Sequence, residues 1–219
     1  VQTCALPISH IDQDIDDGPP TVVVPALTYP ATANAWIRAG WNICILDTDN
    51  YGQMDYHKLP KDQTYRAVCL VGLYGQSVWN QWKDPKDYIV EDAAQHWLSD
   101  NCNRVGEAAA ISFDPTKNLA NYGNGGAVLT DDQAVAEFVR AWRDNAKPTH
   151  DFAGSNSRMS EIDCAQLLVK TRYIDQWQER RRKIATYWIE AFRDQSGLRS
   201  LITRSEEHTS ELQSLRHLV

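Results

Sequence analysis

A lysine, an aspartate and a glutamine follow two predicted strands of this chain. Lys117 comes after the apolar run AAAISF at 108–113, which Asp114 and Pro115 stop. A lysine between two buried segments can lose part of its hydration, and its amine can then form a Schiff base. Most lysines are instead solvated loop residues, and Lys117 alone would fit that interpretation.

Asp92 and Gln95 follow the second apolar run, at 87–90. The two side chains would face the same side if a helical turn begins there, because they are three residues apart. An acid at the carboxyl end of a strand lies where open α/β sheets bind ligands. After Lys117, the glycines of YGNGG at 122–126 allow a sharp turn and a close backbone approach before the run at 126–129 returns to the sheet.

The remaining elements predict a mostly parallel sheet covered by helices, the α/β class. Further strands are predicted at 21–24, 43–46 and 65–71. Helices are predicted at 31–39 with Gly40 as C-cap, at 131–143, at 160–170 with Ser160 and Asp163 as a capping pair, and at 173–193. The arginine run at 180–182 is interpreted as a solvated helix face rather than a nucleic-acid site.

Composition excludes several classes of protein. A net charge of -7 over 219 residues argues against nucleic acid as the main partner. No run is apolar and long enough to cross a bilayer, and no secretory signal opens the chain, so a cytoplasmic location is expected. The five cysteines form no CxxC pair and no cluster with histidine, which predicts buried reduced thiols and no metal site.

Both ends of the chain have an unusual sequence. The last segment, RSEEHTSELQSLRHLV, resembles a translated sequencing-library adapter, and the opening VQTCALPI resembles its reverse complement. We therefore expect residues 1–8 and 204–219 to be artefacts. The chain would then be an internal fragment of a longer protein, incomplete at both ends.

Four ordered motifs carry a resemblance to a known family: VVVPALTYPATANA, YIVEDAAQ, SFDPTKNL-x-x-YGNGGAVLT and GSNSRMSEID. They resemble the DegT/DnrJ/EryC1/StrS family of pyridoxal-phosphate (PLP) sugar aminotransferases, from about Thr21 to Arg193. The resemblance implies a fold-type I large domain at 9–170 without its N-terminal part. A long helix at 171–203 would lead toward a missing small domain.

The resemblance also implies a role for each matching residue. Lys117 would carry pyridoxal 5'-phosphate as a Schiff base and move the proton in catalysis. Asp92 would hold the proton on the pyridine nitrogen, and Gln95 would bond the phenolic oxygen. The remaining assignments are Tyr29 stacking on the ring, Ser112 bonding the phosphate, and Asn156 reaching the cofactor of the neighbouring subunit in a homodimer. Arg158 would hold that loop or an anionic substrate, with a structural salt bridge as the equal alternative.

The implied function is transfer of an amino group from an amino acid, with glutamate as the expected donor, to a nucleotide-linked keto-sugar. A PLP-dependent dehydratase or epimerase is one alternative, and Lys117 disfavours it because related dehydratases carry histidine there. A non-catalytic regulator that retains the fold is the other. The chain departs from the family at Gly72, where histidine is frequent, and at His96-Trp97, where a small residue and then histidine are common. Both positions lie near the substrate side, which leaves the sugar open.

Overall fold

The computed structural model describes residues 18–59, 64–76, 78, 88–98 and 106–192. Within them, one six-stranded sheet has the order β2-β1-β3-β4-β5-β6. Strands β1 to β5 are parallel, and β6 runs antiparallel to β5. The strands are β1 Thr21–Pro25, β2 Asn42–Leu46, β3 Ala67–Val71, β4 Tyr88–Asp92, β5 Ala108–Ser112 and β6 Gly126–Leu129.

The central strands are apolar on both faces because both faces are covered. Alternate residues of β1 enter different clusters: Val23 packs with Cys44 and Leu70, whereas Val22 and Val24 pack with Trp36 of the first helix. All five residues of β5 are buried. The three consecutive alanines of β5 leave room for close packing, and Ala110 contacts Ala35.

In the described ranges, four helices accompany the sheet: α1 Pro30–Arg38, α2 Gln133–Trp142, α3 Glu161–Thr171 and α4 Ile174–Phe192. Asp132 caps α2 by accepting from two backbone N–H groups, and Ser160 caps α3 by accepting from the N–H of Asp163. After α1 the chain turns through Gly40, whose φ of 85° favours glycine. Short 3₁₀ turns occur at Tyr56–Lys58 and Leu73–Gly75.

The predicted α/β class and mostly parallel sheet are confirmed, with shifts at element ends. Strand β4 continues through Asp92, two residues beyond its predicted end, because it pairs with β3 as far as Val71. Arg172 and Tyr173 form a turn between α3 and α4. The adapter-like segments at 1–8 and 204–219 lie outside the described residues, and the division into domains stays a prediction.

The predicted buried thiols are found at Cys44 and Cys69, which are buried in the sheet and form no disulfide, whereas Cys164, also without a disulfide, is half-buried. Trp36 is fully buried in the core, whereas Trp177 is partly exposed on α4, where it stacks on Tyr173. No helix in the described part of the chain is both long and apolar enough to span a membrane.

Candidate active site

The carboxyl ends of β1, β3, β4 and β5 open into one cleft. The space between these strand ends, including its opening to solvent, is about 500 Å³. Five of the six predicted site residues line it: Tyr29, Asp92, Gln95, Ser112 and Lys117. Parallel pairing produces this convergence, because it brings the ends of several strands to the same sheet edge.

Asp92 is the last residue of β4 and is only 9% exposed. Its Oδ2 accepts a hydrogen bond of 2.7 Å from Thr32 Oγ1, and its Oδ1 accepts one of 3.2 Å from the backbone N–H of Ala94. Each carboxylate oxygen therefore has one protein donor. The carboxylate is held at the floor of the cleft with the rest of its lone pairs available to a cationic ring nitrogen.

Cys69 lies on β3 close to Asp92. Burial, and then the negative charge of Asp92, raise the pKa of its thiol far above the usual value. The thiol consequently stays neutral and does not compete with Lys117 as a nucleophile.

Gln95 also lines the cleft, where two hydrogen bonds hold it in place. Its Oε1 accepts from the N–H of Tyr74 at 2.5 Å, and its backbone carbonyl accepts from Asn118 Nδ2 at 3.4 Å. Tyr74 has a φ of 60°, in the left-handed region. Because the amide oxygen is engaged by Tyr74, the amide NH₂ is the end of Gln95 left to donate to a ligand oxygen.

Lys117 follows a tight turn at the end of β5. Its N–H donates to the carbonyl of Asp114 at 2.8 Å. The Asp114 carboxylate accepts from the N–H and the hydroxyl of Thr116, and these bonds lower the pKa of that carboxyl. The turn is thus most stable above the ordinary titration range of aspartate, and loses this stabilisation in stronger acid. The Lys117 side chain is half-buried along the cleft.

The loop after Lys117 is bonded to α3 and α4. Lys170 Nζ donates to the carbonyl of Ala120, and Arg181 Nη2 donates to the carbonyl of Asn118 at 3.2 Å. The interpretation of the 180–182 run as wholly solvated was therefore wrong for Arg181. Its neighbour Arg180 is exposed, as expected of a solvated face.

Ser112 and Tyr29 occupy different depths of the cleft. Ser112 is 3% exposed, and its Oγ accepts from the N–H of Asp114 at 3.3 Å, which leaves the hydroxyl proton for another acceptor. Tyr29 is 66% exposed at the N-cap of α1, so its ring offers a free π-face at the mouth.

Asn156 does not line the cleft. It lies exposed in the loop between α2 and α3, where it forms an isolated antiparallel bridge with Asp144. Arg158 Nε is 3.4 Å from Asp144 Oδ1, which is the structural salt bridge that the sequence left open for Arg158. The predicted contact of Asn156 with a neighbouring subunit stays a prediction.

Sequence reasoning expected Gly72 and His96 near the substrate side, but it missed three contacts around the cleft. Thr28 and Thr32 join Asp92 in a chain of hydroxyl contacts, for which their spacing of four residues was the available signal. Gly72 lines the cleft and lies against the imidazole of His96, which is fully buried and does not line the cleft. His96 Nε2 is 3.3 Å from Glu91 Oε2, and both side chains are fully buried. No signal in the sequence pairs these two residues.

The side chains of the cleft fit a flat, anionic, aldehyde-bearing pyridine. They offer an amine for the aldehyde, a buried carboxylate for the ring nitrogen, an amide donor for a ring oxygen, a hydroxyl for phosphate and an aromatic face. Pyridoxal 5'-phosphate combines these groups. No group of three potential metal-binding side chains occurs among the residues whose placement is described.

Comparison with known proteins agrees with this chemistry. The sequence profile of the DegT/DnrJ/EryC1/StrS aminotransferase family matches residues 3–218. A pleiotropic regulatory protein of Geobacillus stearothermophilus is 36% identical over 183 residues, which cover 76% of this chain and 49% of the relative. A dTDP-3-amino-3,4,6-trideoxy-alpha-D-glucose transaminase of Streptomyces venezuelae is 33% identical over 183 residues, 77% of this chain and 48% of the relative.

A solved structure agrees in fold. The crystal structure of S. venezuelae DesV in complex with a ketimine intermediate superposes with a TM-score of 0.73 and 31% identity, over 89% of this chain and 56% of that one. The chain thus spans about half the length of the curated relatives it matches.

Proposed function

Since the chain belongs to the DegT/DnrJ/EryC1/StrS aminotransferase family, we propose that the full-length protein is a PLP-dependent aminotransferase acting on a nucleotide-linked keto-sugar. The observation that carries the proposal is the meeting of Lys117, Asp92 and Gln95 in one cleft. Relatives named as transaminases of nucleotide-linked amino sugars support this substrate class. Glutamate as donor, a homodimer and a cytoplasmic location belong to the same proposal.

In this proposal Lys117 has two tasks. Its Nζ is the point where the cofactor is attached, and the amine, once released by an incoming amino group, accepts and returns the proton of the substrate carbon. The lysine is suited to both because the Asp114 turn fixes its backbone beside the cleft. Bound pyridoxal 5'-phosphate would supply the electron sink for that proton transfer.

The other residues bind and orient. Asp92 holds positive charge at the ring nitrogen, since its buried carboxylate is shielded from water. Gln95 donates to the phenolic oxygen and Ser112 to the phosphate, while Tyr29 covers the ring from the mouth of the cleft. Asn156 reaches the phosphate of the neighbouring subunit's cofactor.

A transfer assay on protein made from the complete reading frame tests the proposal. With glutamate and a nucleotide-linked keto-sugar, mass spectrometry should find 2-oxoglutarate and the amino sugar together. Lys117→Ala should lower the rate by at least about a thousand-fold, because both attachment and proton transfer are lost. Lys183→Ala is the matched control, since Lys183 is 75% exposed and pairs with Glu179 on the same face of α4. Equal rates for wild type and Lys117→Ala would refute the proposal.

The same assay distinguishes two alternative functions. A regulator is favoured by the name of the G. stearothermophilus relative, and it predicts that no amino sugar forms although the protein is folded. A dehydratase or epimerase predicts a deoxygenated or inverted sugar without consumption of glutamate. Lys117 disfavours that second alternative, because it keeps an amine where the dehydratases carry histidine.

A further inference from the structure

A line of two hydroxyl groups leads from the cleft to the carboxylate of Asp92. Thr28, which lines the cleft, has its Oγ1 2.7 Å from Thr32 Oγ1, and Thr32 Oγ1 is 2.7 Å from Asp92 Oδ2. Thr32 is 0% exposed on the first turn of α1, so water cannot replace its hydroxyl. The line therefore joins α1 to the end of β4 across 60 residues of sequence.

Hydroxyl chemistry gives this line a direction. An ionised carboxylate only accepts, so the single hydroxyl proton of Thr32 goes to Asp92 Oδ2. Thr32 has no second proton, and the contact of 2.7 Å with Thr28 requires Thr28 to donate. Both lone-pair regions of Asp92 that face the protein are then occupied, Oδ2 by Thr32 and Oδ1 by the N–H of Ala94. The carboxylate plane cannot rotate without breaking one of these bonds.

We propose that Thr32 is a positioning residue, whose hydroxyl fixes the Asp92 carboxylate in the orientation that keeps a bound cofactor's pyridine nitrogen protonated. This inference rests on the proposed function. Thr32 does not line the cleft itself, so it acts through Asp92. It extends the site beyond the residues that line the cleft to the buried face of α1.

Protein made from the complete reading frame, loaded with ¹⁵N-labelled pyridoxal 5'-phosphate, tests the role by NMR. The ¹⁵N shift of the pyridine nitrogen reports its protonation independently of turnover. Thr32→Val removes the hydroxyl at constant shape, and we expect the shift to move toward that of the neutral ring and the cofactor dissociation constant to rise about tenfold. Thr32→Ser, which restores the hydroxyl, should return both values to those of the wild type.

Two controls separate positioning from packing. Thr171→Val removes an exposed hydroxyl that donates to the Leu168 carbonyl within α3, and should change neither value. In an Asp92→Asn background, Thr32→Val should add no further change, because its effect runs through the carboxylate. If Thr32→Val does not fold, Thr32→Ala makes the same comparison with a smaller side chain.

The outcomes distinguish this inference from the function beneath it. A wild-type shift in Thr32→Val, or an equal loss of affinity in the Asp92→Asn background, would overturn the positioning role while the wild-type spectrum still supports the PLP enzyme. A wild-type protein that binds no pyridoxal 5'-phosphate would overturn both.

Discussion

Gln95 is held at one end of its side chain only. The backbone N–H of Tyr74 engages Oε1, which orients the amide so that its NH₂ group is the end available to a ligand. Asp92 differs, because both of its oxygens already have protein donors. Asp92 thus offers a ligand a fixed hydrogen-bond acceptor, and the NH₂ group of Gln95 offers a fixed donor.

The assignment of the Gln95 NH₂ group as a donor to the cofactor predicts the effect of Gln95→Glu. A carboxylate can still accept from Tyr74, but it has no proton to donate to the cofactor's phenolic oxygen. We expect the dissociation constant of pyridoxal 5'-phosphate to rise about tenfold or more, the usual effect of losing a hydrogen bond to a charged group. Titration of the apoprotein, followed by absorbance, measures it. Gln95→Leu loses both ends and should bind more weakly still, whereas wild-type affinity in Gln95→Glu would contradict the assigned donor.

Sequence reasoning found the residues of the cleft that belong to short motifs at strand ends. Asp92, Gln95 and Lys117 follow apolar runs and Ser112 lies near the end of one, and parallel strands bring such ends together without further information. Thr32 was missed because its partner lies 60 residues away, and Arg181 because its partner Asn118 lies 63 residues away. Contacts at such separations depend on how α1 and α4 pack, which local patterns do not specify.

The connection after β3 depends on a glycine. A Cβ on Gly72 would lie 1.9 Å from Nδ1 of His96, closer than any real contact. His96 cannot move aside easily, because it is 0% exposed and its Nε2 faces the buried carboxylate of Glu91. The histidine that follows Gln95 therefore fills space that a side chain at position 72 would otherwise take.

Gly72→Ala should accordingly destabilise the fold. Overpacking of a closed site costs about 1–3 kcal/mol in free energy of unfolding, which urea denaturation can resolve. Gly123→Ala is the matched control, because the nearest atom to its added Cβ is Asp163 Oδ1 at 4.0 Å. The packing described here would be wrong if both variants unfolded at the same urea concentration.

At the level of elements, the short apolar runs predicted every strand of the described sheet but not all of their ends. β4 runs on through Glu91 and Asp92 because polar side chains are tolerated where partners exist, as Glu91 has in His96 and in the N–H of Gly106. The low β-strand propensity of acidic residues alone would end the strand before Glu91. The N-cap of α3 depends on local sequence and was correctly predicted at Ser160, whereas the C-cap of α1 is Ala39 and not the predicted Gly40, which follows it.

The whole molecule is proposed to be a homodimer with shared sites. Asn156 lies on an exposed loop away from its own cleft, on a backbone anchored by Asp144 and Arg158. Gly154 lies within that loop, where a Cβ would come within 2.4 Å of the backbone nitrogen of Ala146. The loop is therefore tightly built, and it presents Asn156 outward.

Mixed dimers test whether the sites are shared. Lys117→Ala and Asn156→Ala should each inactivate a homodimer, yet a mixed dimer would keep one intact site, with Lys117 from one subunit and Asn156 from the other. Co-expression of differently tagged subunits in equal amounts should restore about a quarter of wild-type activity, since half of the dimers are mixed and each has one of two sites intact. The two purified variants combined without subunit exchange serve as control, and no recovery in isolated mixed dimers would place Asn156 outside the neighbour's site.

The most direct measurement is chemical trapping at Lys117. Protein from the complete reading frame would be incubated with pyridoxal 5'-phosphate, reduced with borohydride, digested and mapped by mass spectrometry. We predict one reduced pyridoxyl group, on the peptide that contains Lys117, and none on Lys170, which bonds the Ala120 carbonyl of the same loop. A folded protein in which Lys117 stays unlabelled would contradict the assignment of this cleft as the site of a PLP-dependent aminotransferase, and would favour the regulator.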